Sequence, residues 1–228
     1  MIVDLVIPAL DEEGAIGEVV AGFLATGRIR RVVVADNGST DRTAERARSA
    51  GAEVVREPER GYGAACLKAL AHLAVDPPEA VLFADGDGSD EPADLAALLA
   101  VLERADLVIG SRALGRAEPG ALTLAQRVGN AIATTAIRLR YRVPATDLGP
   151  FRAIRWAALT RLALRDRNWG WTIEMQLKAA RAGQRIAEVP VRARVRRAGR
   201  SKVSGTVRGA TMAGIKILGL LARHALAR

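Results

Sequence analysis

The rhythm of the first 110 residues limits the fold more than any other feature of this 228-residue chain: short apolar runs alternate with amphipathic stretches. Residues 2–7, interrupted only by Asp4, and residues 32–35, 54–55, 80–84 and 107–109 are apolar runs too short for helices, and their composition predicts strands. Between them, apolar spacing predicts helices over 12–24, 40–50, 63–73 and 92–102. Strands that are apolar without alternation are buried on both faces, which is the signature of a parallel sheet covered by helices. The expected fold class is therefore α/β, a Rossmann-like, mostly parallel central sheet with helices on both faces. Such sheets bind ligands beyond the carboxyl ends of their strands.

Past residue 110 the rhythm changes. The spacing predicts a long helix over 122–139, shorter helices over 154–164 and 171–182, an extended segment over 186–195 and a closing helix over 207–226. No internal repeat and no linker interrupts the chain. A chain of this length can close one core unaided. The single cysteine, Cys66, excludes a disulfide framework and a cysteine-based zinc site. The opening MIVDLVIPALDEE has no cationic start and carries acids at positions 4 and 11–13, which does not read as a signal peptide.

Charge divides the chain unevenly. Residues 1–150 hold 16 Lys/Arg against 22 Asp/Glu (net −6), whereas residues 151–228 hold 18 against 3 (net +15). Thirty of the 34 cations are Arg, which a biased genome could produce, but such bias does not gather charge into the last third. A basic half implies an anionic partner: a nucleic acid, a lipid headgroup or a phosphorylated substrate. The basic tract lacks the interleaved aromatics that stack on bases, which argues against nucleic acid.

Acidic residues cluster after three predicted strands, all on the sheet edge where ligands bind. The first cluster is Pro8–Ala9–Leu10–Asp11–Glu12–Glu13. The second is Asp36–Asn37–Gly38–Ser39–Thr40–Asp41, in which Ser39 or Thr40 is expected to cap the next helix and Asp36 to face the crevice and accept hydrogen bonds from a nucleoside. The third is Asp85–Gly86–Asp87–Gly88–Ser89–Asp90. Carboxylates one residue apart repel, and a hard cation such as Mg²⁺ or Mn²⁺ relieves that repulsion, so Asp85 and Asp87 are candidate metal ligands. Asp90 or Ser89 could instead cap the helix that starts at Pro92. Gly61–Tyr62–Gly63 reads equally as a phosphate-approaching loop and as a plain turn. Cys66, His72 and Trp156 read as packing or surface residues.

These motifs, in this order, resemble the family 2 glycosyltransferases of the GT-A fold, in particular the polyprenyl-phosphate (dolichyl-phosphate) mannose and glucose synthases. The likeness covers nearly the whole chain. It extends to Gly110–Ser111–Arg112, to Asp147 through Arg152, to Glu174, and to the basic tract from Arg196 to Ser204, which resembles a flexible loop of that family. Asp11 stands where that family often has Asn, Gly86 where Ala is common, and Pro150 replaces a small residue before Phe151. The resemblance implies an inverting transfer of a hexose from a UDP-glucose or GDP-mannose type of donor to a polyprenyl phosphate. By it, Pro8, Glu12 and Asp36 hold the nucleoside. Asp85, Gly86 and Asp87 meet the donor diphosphate through Mg²⁺ or Mn²⁺, with Asp87 the more direct ligand. Ser111, Arg112, Asp147, Arg152 and Glu174 form the acceptor side, with Arg112 and Arg152 gripping its phosphate. Arg196 or Arg197, with Ser201 and Lys202, close over both phosphates, and Asp87, Arg112, Arg152 and Lys202 carry the catalytic burden.

The implied organisation is a catalytic domain over 1–206, with a donor half (1–110) and an acceptor half (111–206), followed by an amphipathic helix over 207–228. In that helix Arg208, Lys216 and Arg223 share one side opposite Met212 and Ile215, a pattern that serves either a membrane interface or packing on the core. The expectation is a cytoplasmic protein, peripheral on the cytoplasmic face of a membrane, and a homodimer is compatible with it. A small soluble acceptor such as a phosphorylated glycerate is the alternative substrate. A phosphate monoester is already largely anionic at neutral pH, so such an acceptor needs cations more than it needs a general base.

Overall fold

The structure, a computed structural model, describes residues 1–197. Seven strands form one sheet in the order β3-β2-β1-β4-β6-β5-β7. The first four, β1 (Val3–Ala9), β2 (Arg31–Asp36), β3 (Glu53–Arg56) and β4 (Ala80–Phe83), are mutually parallel, as their unbroken apolar runs predict. They alternate with α1 (Ile16–Leu24), α2 (Thr43–Ser49) and α3 (Tyr62–Leu73).

Alternate strand residues feed two cores. Leu5, Ile7, Val34 and Leu82 pack on one face with Val20 and Phe23 of α1, and with Leu95 and Leu98 of α4 (Leu95–Leu102). Val6, Val33, Val81 and Phe83 pack on the other with Ala65, Cys66 and Ala69 of α3, and with Leu159 of α6 (Trp156–Leu162) and Trp171 and Met175 of α7 (Trp171–Arg181). Cys66 is therefore a packing residue, while His72 pairs with Glu53 at the surface, 2.6 Å apart.

Three expectations need correcting. The predicted helix over 154–164 begins as strand β6 (Arg152–Arg155), which runs antiparallel between β4 and β5. Its sequence, RAIR, carries charge at both ends, so no apolar run announces it; each arginine instead reaches backbone carbonyls, Arg155 those of Leu102, Glu103 and Ala105. Strand β5 (Leu107–Ala117) runs well past the predicted residue 109, because its outer part pairs with β7 (Ile186–Ala193) after an irregularity between Ser111 and Arg116. The predicted helix over 92–102 opens as a single 3₁₀ turn at Pro92–Asp94 before α4, with no side-chain cap, so neither Ser89 nor Asp90 caps it.

The long helix α5 (Leu124–Tyr141) starts at a capping box formed by Thr123 and Gln126, and buries Ala133 and Ile137 against Ile173 and Leu177 of α7. Among the described residues no helix is long and apolar enough to cross a membrane. The predicted helix over 207–228 lies outside the described residues.

Candidate active site

The register of the sheet aligns the loops that matter. Ala9 pairs with Asp36, so β1 and β2 end side by side, and β4 ends next to them before Asp85. Their acidic loops open into a pocket of about 700 Å³. That volume suits a ligand larger than a simple sugar. Pro8, Glu12, Asn37, Asp85, Gly86, Asp87 and Asp90 line one part of it. Arg60, Arg112, Arg194 and Arg196 bring four cations, and Tyr62 and Trp169 two aromatic rings.

The turn after β2 is a clasp, not a cap. Neither Ser39 nor Thr40 caps α2, whose first amide, that of Thr43, donates to the Asp41 carboxylate (2.9 Å). The Ser39 hydroxyl instead accepts from the Asp11 amide (3.0 Å), and the Asp11 carboxylate accepts from the Thr40 amide (2.8 Å). Asp11 holds this position with φ of 49°, in the left-handed region. That region tolerates Asp better than most residues. Thr43 accepts from the Glu12 amide at 2.8 Å, which fixes the backbone that presents the Glu12 carboxylate to the pocket. Asp36 is buried, accepts from the Ser39 amide (3.1 Å) and is not part of the pocket wall; its neighbour Asn37 is. Asn37 in turn holds the loop after β3, donating to the Glu57 and Glu59 carbonyls and accepting from the Gly61 amide.

The two readings of Gly61–Tyr62–Gly63 are decided by close approach of backbone to backbone. A Cβ at Gly63 would lie 1.9 Å from the Asp166 carbonyl oxygen, and one at Gly61, where φ is +151°, 2.1 Å from that of Arg167. The first amides of α3 donate to the Asn168 and Arg167 carbonyls, so they are not offered to a phosphate. The tight crossing holds the segment that carries Trp169 into the pocket. Gly63→Ala is expected to destabilise the protein by about 1–3 kcal/mol, measured by denaturant unfolding; an unchanged midpoint would contradict the crossing.

Asp85, Asp87 and Asp90 meet in the third loop. Asp90 accepts from the Asp85 amide (2.9 Å) and Asp87 from the Ser89 amide (2.9 Å). Burial, then the neighbouring charges of Asp87 and Asp90, pushes the Asp85 carboxyl well above the usual carboxylate range. Burial likewise lifts Asp90 to about 7, against the opposing pull of the Asp85 amide. Such a cluster of oxygen donors with a surplus of negative charge fits a hard divalent cation. Among the described residues no group of three acidic, His or Cys side chains is placed to hold a metal ion, and one or two carboxylates leave coordination positions for water or for ligand oxygens.

The chain after β7 crosses this loop as a strap. The Arg194 amide donates to the Ser89 carbonyl and the Arg197 amide to the Asp87 carbonyl, both at 3.0 Å, and the Arg194 side chain pairs with Glu91. Arg196 reaches into the pocket and joins two of its acidic loops, at 2.8 Å from Glu12 and 3.0 Å from Asp87. Arg197 turns to Glu18 on α1 instead, and is not part of the wall.

The acceptor-side residues separate into one that lines the pocket and several that support it. Arg112 lines it, held by two bonds to the Asp147 carboxylate at 2.7 Å each. Burial alone would lower the Arg112 pKa, but Asp147 outweighs it and the net shift is upward. Asp147 is itself buried and also accepts from the Arg112 amide. Ser111 is fully buried beside Thr146, and Glu174 is buried, accepting from the Arg165 and Asp166 amides and pairing with Lys178. Arg152 requires a plain correction to the phosphate-gripping role that the resemblance implies. It is fully buried, outside the pocket wall, and its guanidinium donates to the Leu148, Gly149 and Thr172 carbonyls. Burial lowers its pKa to about 10. Ser201 and Lys202 lie outside the described residues.

Arg60, Trp169 and Arg194 are pocket residues that the sequence motifs do not single out, whereas Tyr62 lies in the Gly61–Tyr62–Gly63 motif. Arg60 had a signal, since it follows β3 on the same sheet edge as the acidic loops. Trp169 had none, because the crossing that places it depends on tertiary packing.

Comparison with known proteins places this geometry in context. The sequence model described as Glycosyl transferase family 2 matches residues 4–163. An uncharacterised glycosyltransferase of Mycobacterium tuberculosis is 40% identical over 92% of this chain and 94% of its own length. An undecaprenyl-phosphate mannosyltransferase of Micrococcus luteus is 29% identical, covering 88% of this chain and 89% of its own. Among solved structures, glucosyl-3-phosphoglycerate synthase from Mycobacterium tuberculosis, in complex with Mn²⁺, uridine-diphosphate and phosphoglyceric acid, superposes with a TM-score of 0.77 at 23% identity, over 100% of this chain and 79% of that one. The α/β arrangement is thus the GT-A fold.

Proposed function

The chain belongs to glycosyl transferase family 2 and is a nucleotide-sugar-dependent glycosyltransferase, and from that premise we propose that it moves a hexose from a UDP- or GDP-sugar to a polyprenyl phosphate, with inversion. The carrying observation is the composition of the pocket: four carboxylates, Glu12, Asp85, Asp87 and Asp90, face into the same space as four arginines. Acids alone would suit a metal and a nucleoside. Four cations beside them suit two phosphate groups that must be held together against their repulsion.

Asp85 and Asp87 would hold Mg²⁺ or Mn²⁺ together with the donor diphosphate, as the donor set and its surplus charge favour. A divalent ion there neutralises charge on the departing nucleoside diphosphate. Glu12, Pro8 and Asn37 sit where the nucleoside end would lie, with Asp36 acting through the turn it shapes. Arg112, aimed by Asp147, receives the acceptor phosphate, whose oxygen attacks the anomeric carbon without a strong base because it is already ionised. Arg196 exchanges its carboxylate partners for phosphate oxygens, and Ser201 and Lys202 would extend that grip. In this reading residues 1–110 serve the donor, 111–206 the acceptor, and 207–228 contact the membrane.

The lipid acceptor draws support from the undecaprenyl-phosphate relative and from the +15 charge of the last 78 residues. A second reading, a small phosphorylated acceptor, draws equal support from the resemblance to glucosyl-3-phosphoglycerate synthase. One assay separates them. Labelled UDP-glucose or GDP-mannose is supplied with Mn²⁺, and either a short-chain prenyl phosphate or 3-phosphoglycerate. Label extracted into the organic phase is the expected result; label that enters only 3-phosphoglycerate would overturn the lipid acceptor.

A further inference from the structure

A helix on the surface of a soluble protein normally turns polar residues outward. Helix α5 breaks that rule. It buries Ala133 and Ile137, yet Leu124, Val128, Ile132 and Leu139 on its other side are 77, 50, 51 and 79% exposed. Their spacing of four, four and seven places them on one continuous stripe along the helix. Contiguous exposed aliphatic surface of this kind marks a contact face.

Two observations select its partner. The only charged side chains on α5 and at its C-cap are Arg127, Arg138, Arg140 and Arg142, all exposed, with no acid among them. Arg127 and Arg138 fall along one edge of the stripe and Arg140 beyond the other, on the spacing of 100° per residue. The stripe is also continuous with the pocket, because Leu122, Thr123 and Gln126 at the start of the helix line it. An aliphatic band edged by arginines matches an anionic bilayer surface, into whose acyl boundary the band settles while guanidiniums meet lipid phosphates.

We propose that the outer face of α5 docks the enzyme on an anionic membrane with the pocket mouth beside the lipid headgroups. The proposal concerns α5 alone and rests, for its purpose, on the lipid-acceptor reading. It explains how a headgroup phosphate could reach Arg112 without the prenyl chain leaving the bilayer.

The test uses the full chain and phosphatidylcholine–phosphatidylglycerol vesicles that contain no prenyl phosphate. The variant Val128→Ser/Ile132→Ser/Leu139→Ser changes only exposed residues outside the pocket. The expected result is vesicle co-sedimentation of the wild-type chain, weakened more than about tenfold in the triple variant and weakened also by salt or by Arg127→Gln/Arg138→Gln, with the melting temperature kept. Equal sedimentation of wild type and triple variant, or none for either, would overturn the proposal. So would a lower melting temperature or a change in oligomeric state of the triple variant, since the face would then be covered by the chain itself or by a second copy. Failure of the acceptor reading is visible separately: no label would enter a prenyl phosphate, although the difference in vesicle binding would stand.

Discussion

Replacing Asp87 by Asn is expected to lower turnover by about two to three orders of magnitude, the usual effect of deleting one group that organises transition-state charge, while leaving the fold intact. Asn can still accept the Ser89 amide bond through Oδ1, so the loop keeps its shape. What it loses is the negative charge that faces Arg196 at 3.0 Å and that would otherwise face a divalent ion. Two measurements check this: turnover of the nucleotide-sugar, and a thermal melt showing that the variant is folded. Titration of Mn²⁺ should also give a weaker response in the variant than in the wild type. Undiminished activity of the variant, or of the wild type in excess chelator, would remove the metal from this loop and leave Arg196 as the cation facing Asp87.

Arg152→Ala is expected to cost roughly 3 kcal/mol or more of stability, because it removes the guanidinium that satisfies the Leu148 and Gly149 carbonyls and also bonds that of Thr172 in the interior. The loss should appear as a shifted denaturation midpoint, and the acceptor KM of whatever folds should be little changed. The opposite pattern, unchanged stability with a selective rise in acceptor KM, would restore Arg152 to the phosphate-binding role that its place in the motif suggests. Magnitude separates the roles here: a surface arginine that touches only substrate contributes almost nothing to folding, whereas a fully buried guanidinium is part of the scaffold.

The parallel half of the fold was legible because burial on both faces writes itself into sequence as unbroken runs such as Val32–Ala35. The acidic loops were legible for a related reason: each follows a strand that could be seen. Strand β6 was not, since a four-residue strand flanked by arginines carries no periodicity, and its place is set by partners distant in the chain. The same distance hid the difference between Arg112 and Arg152. Both sit in motifs assigned to the acceptor side, Gly110–Arg112 and Asp147–Arg152, but only the fold shows that one guanidinium faces the pocket and the other the interior. For Gly61 and Gly63, residue type announced a close approach without saying to what; the answer is the backbone at Asp166–Arg167.

The strand order carries a consequence for biosynthesis. Strands β1 to β4 pair with one another, so the donor-side loops can form as soon as those strands have left the ribosome. Among the described residues strand β5 pairs with β6 and β7, both translated later, and not with an earlier strand. Until they arrive, its apolar stretch Leu107–Ile109 and the free edge of β4 are open to other chains. Three of the four pocket cations are late for the same reason, since Arg112 rides on β5 while Arg194 and Arg196 follow β7; Arg60, after β3, is early. A nascent chain therefore assembles an acid-lined cleft first and receives three of its four arginines later, so a ribosome that stalls before residue 186 leaves an adhesive fragment with part of a site.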